Sequence, residues 1–240
     1  MTLEEYRRRF NSDDSPGWDA IESLMASIYP NQEPLHWSPR IRAAFGGPDP
    51  LDGISAYACS DGGRPHHHFV TYGYSVLDYE EEVFEGDKAE GPVNGFGFEM
   101  SFRLARIAGE SEDDLIWVCH TLQTLARYVF ESGRIFQPYH WIQSTAPGAT
   151  LRDGYPTDLV GLAFLVDPVL GTLATPHGPV TFIQAFGLTR SELRTFENTR
   201  ETAEKLIESH RPANPLLITD LNRRDPGPGL VQRVARLFGR

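Results

Sequence analysis

Cysteine is nearly absent from this 240-residue chain, which has only Cys59 and Cys119. Two thiols cannot staple a small scaffold and lack the paired spacing of a zinc site, so reduced, partly buried thiols without a role are expected. No apolar run approaches the ~20 residues that span a bilayer, and the opening MTLEEYRRRF has no apolar signal core behind its arginines. The expectation is a cytoplasmic protein without integral membrane association. Lysine is scarce, at two of 22 basic residues, and a formal net charge of −11 excludes most nucleic-acid roles, because a phosphate backbone rewards clustered cations. An acidic surface serves solubility and also suits a basic protein partner. Also missing are Gly-x-Ser-x-Gly, His-Glu-x-x-His and Walker sequences, which removes the commonest hydrolase and nucleotide-binding classes.

What is present reads as one compact α+β domain, 40% hydrophobic, with a mixed or mostly antiparallel sheet and about three helices. Ser15-Pro16 is an N-cap signal, and Ile21, Leu24, Met25 and Ile28 recur at helical spacing until Tyr29-Pro30. The Pro- and Gly-rich stretch 46–53 is a structural corner. Residues 54–59 and 69–76 are strand-like, and from Phe96 to Leu104 apolar residues alternate strictly, so one face of that strand should be buried. Residues 115–130 follow the helical period. The runs 159–166 and 180–188 suit central strands, and a Thr189/Glu192 capping box opens a third helix to about His210, followed by a last strand at 216–221. The domain is expected over 16–224, preceded by an extension at 1–15 and followed at 225–240 by a linker and a basic amphipathic tail that docks on its own domain.

Candidate chemistry is sparse. In His66-His67-His68 adjacent strand residues point to opposite faces, so at most His66 and His68 share one ion, with His36 and Asp61 as further ligands; a half-exposed structural cluster is the better reading, and no metal or cofactor is expected. The acidic run 78–90 lacks the DxDxDG register and reads as a solvated loop, and GPVNGFG (91–97) as a turn. Cys119 and His120 diverge on a helix and cannot act together. Aromatic residues stand out instead: Tyr128, Phe130, Phe136, Tyr139, His140 and Trp141 cluster at the end of the second helix and the loop behind it, where aromatics make binding hot spots; Phe130 is assigned to the core.

Five ordered blocks, GGPDPLDGISAY (46–57), GFGFEMSFRL (95–104), LARYVF (125–130), TPHGPVTFIQAFGLT (175–189) and PLLITDLNR (215–223), resemble the Suppressor-of-fused domain over roughly 16–224. The resemblance implies a non-enzymatic module that sequesters a protein or peptide; animal members bind Gli-type transcription factors. It implies that Tyr128 and Phe136 belong to the partner-gripping region, to which the aromatic reading adds Tyr139 and His140. The acidic residue that the family uses just after the phenylalanine has no counterpart in Gln137-Pro138-Tyr139-His140. Animal members also carry a second domain that closes over the peptide, so binding with one domain is the expectation. Single-domain relatives in bacteria suggest a toxin-neutralising immunity protein as the alternative, and a metal-dependent enzyme built on His66, His68 and Asp61 is a more remote one.

Overall fold

Alternation of side chains along extended segments, broken by Gly and Pro at their ends, makes eight strands among the described residues, and the computed structural model joins them into a single mixed sheet. It describes residues 1–60, 63–84, 94–143, 150–196 and 200–227, without the side chains of Ala44 and Arg200. The strands are β1 (Leu35–Trp37), β2 (Gly53–Cys59), β3 (His66–Tyr72), β4 (Phe98–Ala105), β5 (Trp141–Gln143), β6 (Leu159–Val166), β7 (Thr172–Thr175) and β8 (Gly178–Thr189). Their order is β1-β2-β3-β4-β8-β6-β5, with β7 beside the first half of β8, and only β4 and β8 pair in parallel. Among the described residues five helices, α1 (Leu3–Arg9), α2 (Pro16–Ile28), α3 (Ile116–Ser132), α4 (Arg190–Leu193) and α5 (Arg200–His210), give with the sheet an α+β fold. None of the described helices is long and apolar enough to cross a membrane.

The apolar stripe of α3 buries Leu122, Leu125, Ala126 and Val129 against Phe69, Phe102 and Phe164 on one face of the sheet. On the other face α2 packs Ile21 and Met25 on Val70, Tyr72 and Phe182, while α5 packs Leu206 and Ile207 on Phe186 and Leu188. With helices on both faces, the middle strands are buried on both sides, so β4 does not keep the solvent face its alternation predicts. Its non-apolar positions Glu99, Ser101 and Arg103 lie inside the molecule.

Other expectations are corrected too. β3 starts at His66 rather than residue 69, because all seven residues of His66–Tyr72 ladder against Gly53–Cys59. The hydroxyl of Ser15 binds Asp78 at 2.7 Å instead of capping α2. The third helix is split: α4 starts on the Thr189/Glu192 capping box and runs into a 3-10 turn at Arg194–Phe196, and α5 is separate. Residues 216–221 form no strand; Thr219 makes one parallel bridge to Leu104. The tail at 228–240, residues 85–90 of the acidic run and Asp61 lie outside the described residues. Sequence pattern missed α1, whose Tyr6 is fully buried and pairs with His177 at 2.7 Å.

The corner at 46–53 depends on close backbone approach. Gly46 has a φ of 85°, and a Cβ on Gly47 would lie 1.8 Å from the carbonyl oxygen of Ile41. Gly47→Val is therefore expected to destabilise the fold by about 1–3 kcal/mol, read from denaturant melts; an unchanged midpoint would contradict this.

Glu99 carries a second prediction. Its carboxyl is fully buried and accepts from Thr71 Oγ1 (2.6 Å), Gly73 N (3.0 Å) and Ser75 N and Oγ (2.9 and 2.7 Å). Burial, only partly offset by those bonds, raises its pKa to about 7 from the 4.5 of an unburied glutamate. A raised folded-state value means the contribution is full below pH 4.5 and is lost as pH climbs to about 7, a fall of about 3 kcal/mol. Glu99→Gln, whose amide can donate to Thr71 as the protonated acid would, should flatten that slope. Urea melts of both proteins from pH 5 to 7.5 test this, and parallel curves would refute it.

Candidate partner-binding site

At the C-terminal end of α3, Gly133 takes the left-handed conformation (φ 68°) and closes the helix through its N–H to Val129 O at 2.8 Å. The chain turns there and sends Phe136 back into the core, 5% exposed, face to face with Phe164 of β6 at 4.2 Å between ring centroids. Tyr128, 44% exposed, stacks on the outer side of Phe136 at 5.7 Å. Ile135 and Phe130 are also exposed, and Phe130 lies edge-on to Phe96 at 4.9 Å. The core assignment of Phe130 is thus corrected: its position rotates off the buried stripe of α3.

Behind Phe136 the backbone is tied to the sheet. Tyr139 N–H donates to Phe164 O at 2.6 Å, and Phe164 N–H donates to His140 O at 2.9 Å, which carries the β5–β6 ladder two residues further. Tyr139 is held at a φ of 69° and packs on the core beneath α5. The exposed His140 accepts from Gln137 N–H through Nδ1 at 3.3 Å. Trp141 opens β5 and tilts against Phe196 at 4.8 Å. Among the described residues β5 is the last strand of the sheet. The structure thus brings Tyr128 and Phe136 together as one stacked unit and places Tyr139 and His140 on the adjoining segment. Sequence reading did not mark Ile135 or Phe164 as part of this surface.

The histidine tract makes a contrasting site. All three rings are buried rather than half-exposed, since β3 is covered on both faces. His66 and His68 face α2; His67 faces the other way. Asp167, at the end of β6, accepts from Arg103 Nη2 (3.0 Å), His68 Nε2 (3.1 Å), Ser101 Oγ (2.7 Å) and the amides of Val169 and Leu170. Because a carboxylate only accepts, His68 carries its hydrogen on Nε2 and accepts from Tyr29 OH through Nδ1 at 2.8 Å. Burial and then the charge of Arg103 lower the His68 pKa to about 4, so the ring is neutral at pH 7. Burial alone would raise the Asp167 pKa, but the bond from His68, the Arg103 guanidinium and the Leu170 amide outweigh it and hold the carboxyl far below the usual range. His66 donates Nδ1–H to Arg64 O at 2.7 Å and meets the Cys59 sulfur with Nε2 at 2.8 Å. These nitrogens are engaged within the protein, and among the described residues no group of three or more His, Cys, Asp and Glu side chains could hold a metal ion.

The family model described as Suppressor of fused protein matches residues 47–224. Suppressor of fused homologues of Homo sapiens and Mus musculus are each 34% identical over 231 residues, covering 91% of this chain and 46% of the relative. The chain thus spans about half the length of these relatives. Among solved structures, a chain of the Sufu-Fu complex superposes with a TM-score of 0.79 at 27% identity, covering 95% of this chain and 99% of that one. Drosophila Suppressor of Fused gives 0.75 at 28% identity, covering 95% and 55%. A putative homologue from Neisseria gonorrhoeae, at 0.53, 15% identity and coverages of 87% and 96%, shares the fold alone.

Proposed function

The chain belongs to the Suppressor of fused family, and from that membership and the exposed ring of Tyr128 we infer that it is a protein-binding module. The observation that carries the reading is the stack of an exposed tyrosine on a buried phenylalanine beside the sheet's edge strand. A rigid aromatic held by its neighbour loses little entropy on docking, and the adjoining strand edge offers main-chain donors and acceptors to an extended partner segment. Tyr128 and Phe136 form the anchor, and Tyr139 and His140 shape the path from anchor to edge. That a similar chain occurs in a complex with Fu supports a protein as the class of partner. No observation favours the toxin-neutralising alternative. The reading needs no catalytic group, metal or cofactor.

The test is affinity capture from the source organism with the wild type and with a Tyr128→Ala, His140→Ala variant, both verified as folded, followed by titration calorimetry on the captured protein. A partner retained by the wild type and weakened by about 1–4 kcal/mol on the variant supports the assignment. Equal affinity for both removes this surface from consideration.

A further inference from the structure

Beside the first turn of α3, Ala56 and Ala58 of β2 present only methyl groups to the α3 face of the sheet, and a recess of about 320 Å3 opens over them. That volume is at the small end of ligand pockets, which start at roughly 300 Å3. Its floor is apolar, completed by Leu35 and Leu115, and its walls are rich in hydrogen-bond acceptors. The Glu110 side chain, 7% exposed, takes a hydrogen bond from His67 Nε2 at 2.8 Å. Since the carboxylate can only accept, His67 carries a hydrogen on Nε2, and in the neutral ring Nδ1 is a bare acceptor. His67 is 6% exposed and that Nδ1 has no partner. Gln32 gives its amide hydrogen to Ala58 O at 2.7 Å and leaves a buried Oε1, also without a partner. Buried polar atoms in folded proteins nearly always have partners, so two unmatched acceptors on residues that line the recess call for donors.

Charge points the same way. Glu33 and Glu112 add two carboxylates, and the one opposing cation, Arg106, stands 3.8 Å from Glu110, too far for a hydrogen bond. We propose that this recess binds an alkylguanidinium group, borne by an arginine side chain of a peptide or by a free arginine-like molecule. A guanidinium is cationic, carries only donors and spreads five N–H groups in a plane, which matches acceptors on several sides, and its methylene stem would lie on the alanine floor. The recess sits at the opposite end of α3 from Tyr128, about 20 Å along the helix axis from Leu115 to Tyr128, so the site stands apart from the aromatic surface.

Two-dimensional NMR of the intact chain, titrated with three probes, tests the assignment. The probes are N-acetyl-arginine methylamide, free arginine and N-acetyl-citrulline methylamide, the last a neutral urea of the same shape. Saturable shifts of the Ala58, His67 and Glu110 amides are expected with both arginine probes and not with the citrulline one. Glu110→Gln should weaken binding by about tenfold or more. Ala58→Phe, at an exposed position of β2, should fill the recess and abolish binding with the melting temperature unchanged. Tighter binding of the blocked probe identifies a peptide as the source, and tighter binding of free arginine a small molecule; both support the site. Equal shifts with the citrulline probe, no saturable shift with either arginine probe, or full affinity in a folded Ala58→Phe variant would overturn it.

Discussion

Replacing Asp167 by alanine is expected to remove about 3–5 kcal/mol of folding stability, because it leaves the guanidinium of Arg103 charged and buried without its counter-ion. Arg103 is among the largest fully buried side chains, and its Nε has no partner even in the intact protein. The same change orphans His68 Nε2–H, Ser101 Oγ–H and the amides of Val169 and Leu170. The clusters under α2 and α5 flank the pair on the same face of the sheet, so apolar side chains in place of both charges would pack there, and only the donors to Asp167 would remain orphaned. An Arg103→Met, Asp167→Leu double variant should therefore lose far less than the sum of its single changes. Guanidinium chloride melts of the four proteins give the cycle, and additive losses would mean that the pair is not coupled. The depressed pKa of Asp167 also fixes a pH window: its contribution is whole at neutral pH and is lost only as pH falls below the roughly 4 of an unfolded aspartate.

Phe136→Ala should cost a similar amount of stability, about 3–5 kcal/mol, because the ring fills the space between Phe164 and Tyr128 and its removal leaves a cavity against β6. Tyr128→Ala, one layer further out, should change stability by about 1 kcal/mol or less. Thermal unfolding of the two variants separates them. A mild effect at Phe136 would mean that its ring is available to a partner directly and not through Tyr128. The distinction matters for every binding experiment on this surface, since lost binding in Phe136→Ala could follow from unfolding alone.

The legible parts of the fold are those where a period meets a full turn of burial. α2 and α3 show their stripes at Ile21, Met25, Leu122, Leu125 and Val129, and β6 and β8 show continuous apolar runs. Short elements with mixed patterns, such as β1, β5 and β7 at three or four residues, carry too few positions to reveal a period. Glu99, Ser101 and Arg103 in β4 read as solvent-facing for the same reason that they are unusual: their partners Thr71, Ser75 and Asp167 come from elsewhere in the sequence. At the candidate site, the tyrosine and phenylalanine were visible as a cluster of aromatics. Their division into an exposed ring and a buried one depends on Gly133 turning the chain and on Phe164 arriving from β6, and neither follows from local spacing.

The most direct test of the partner-binding account is titration calorimetry of the captured partner against folded Tyr128→Ala, whose stability is expected to match the wild type. The account predicts an affinity lower by about 1–4 kcal/mol, a loss of roughly fivefold to a thousandfold. Undiminished affinity in that variant would contradict it.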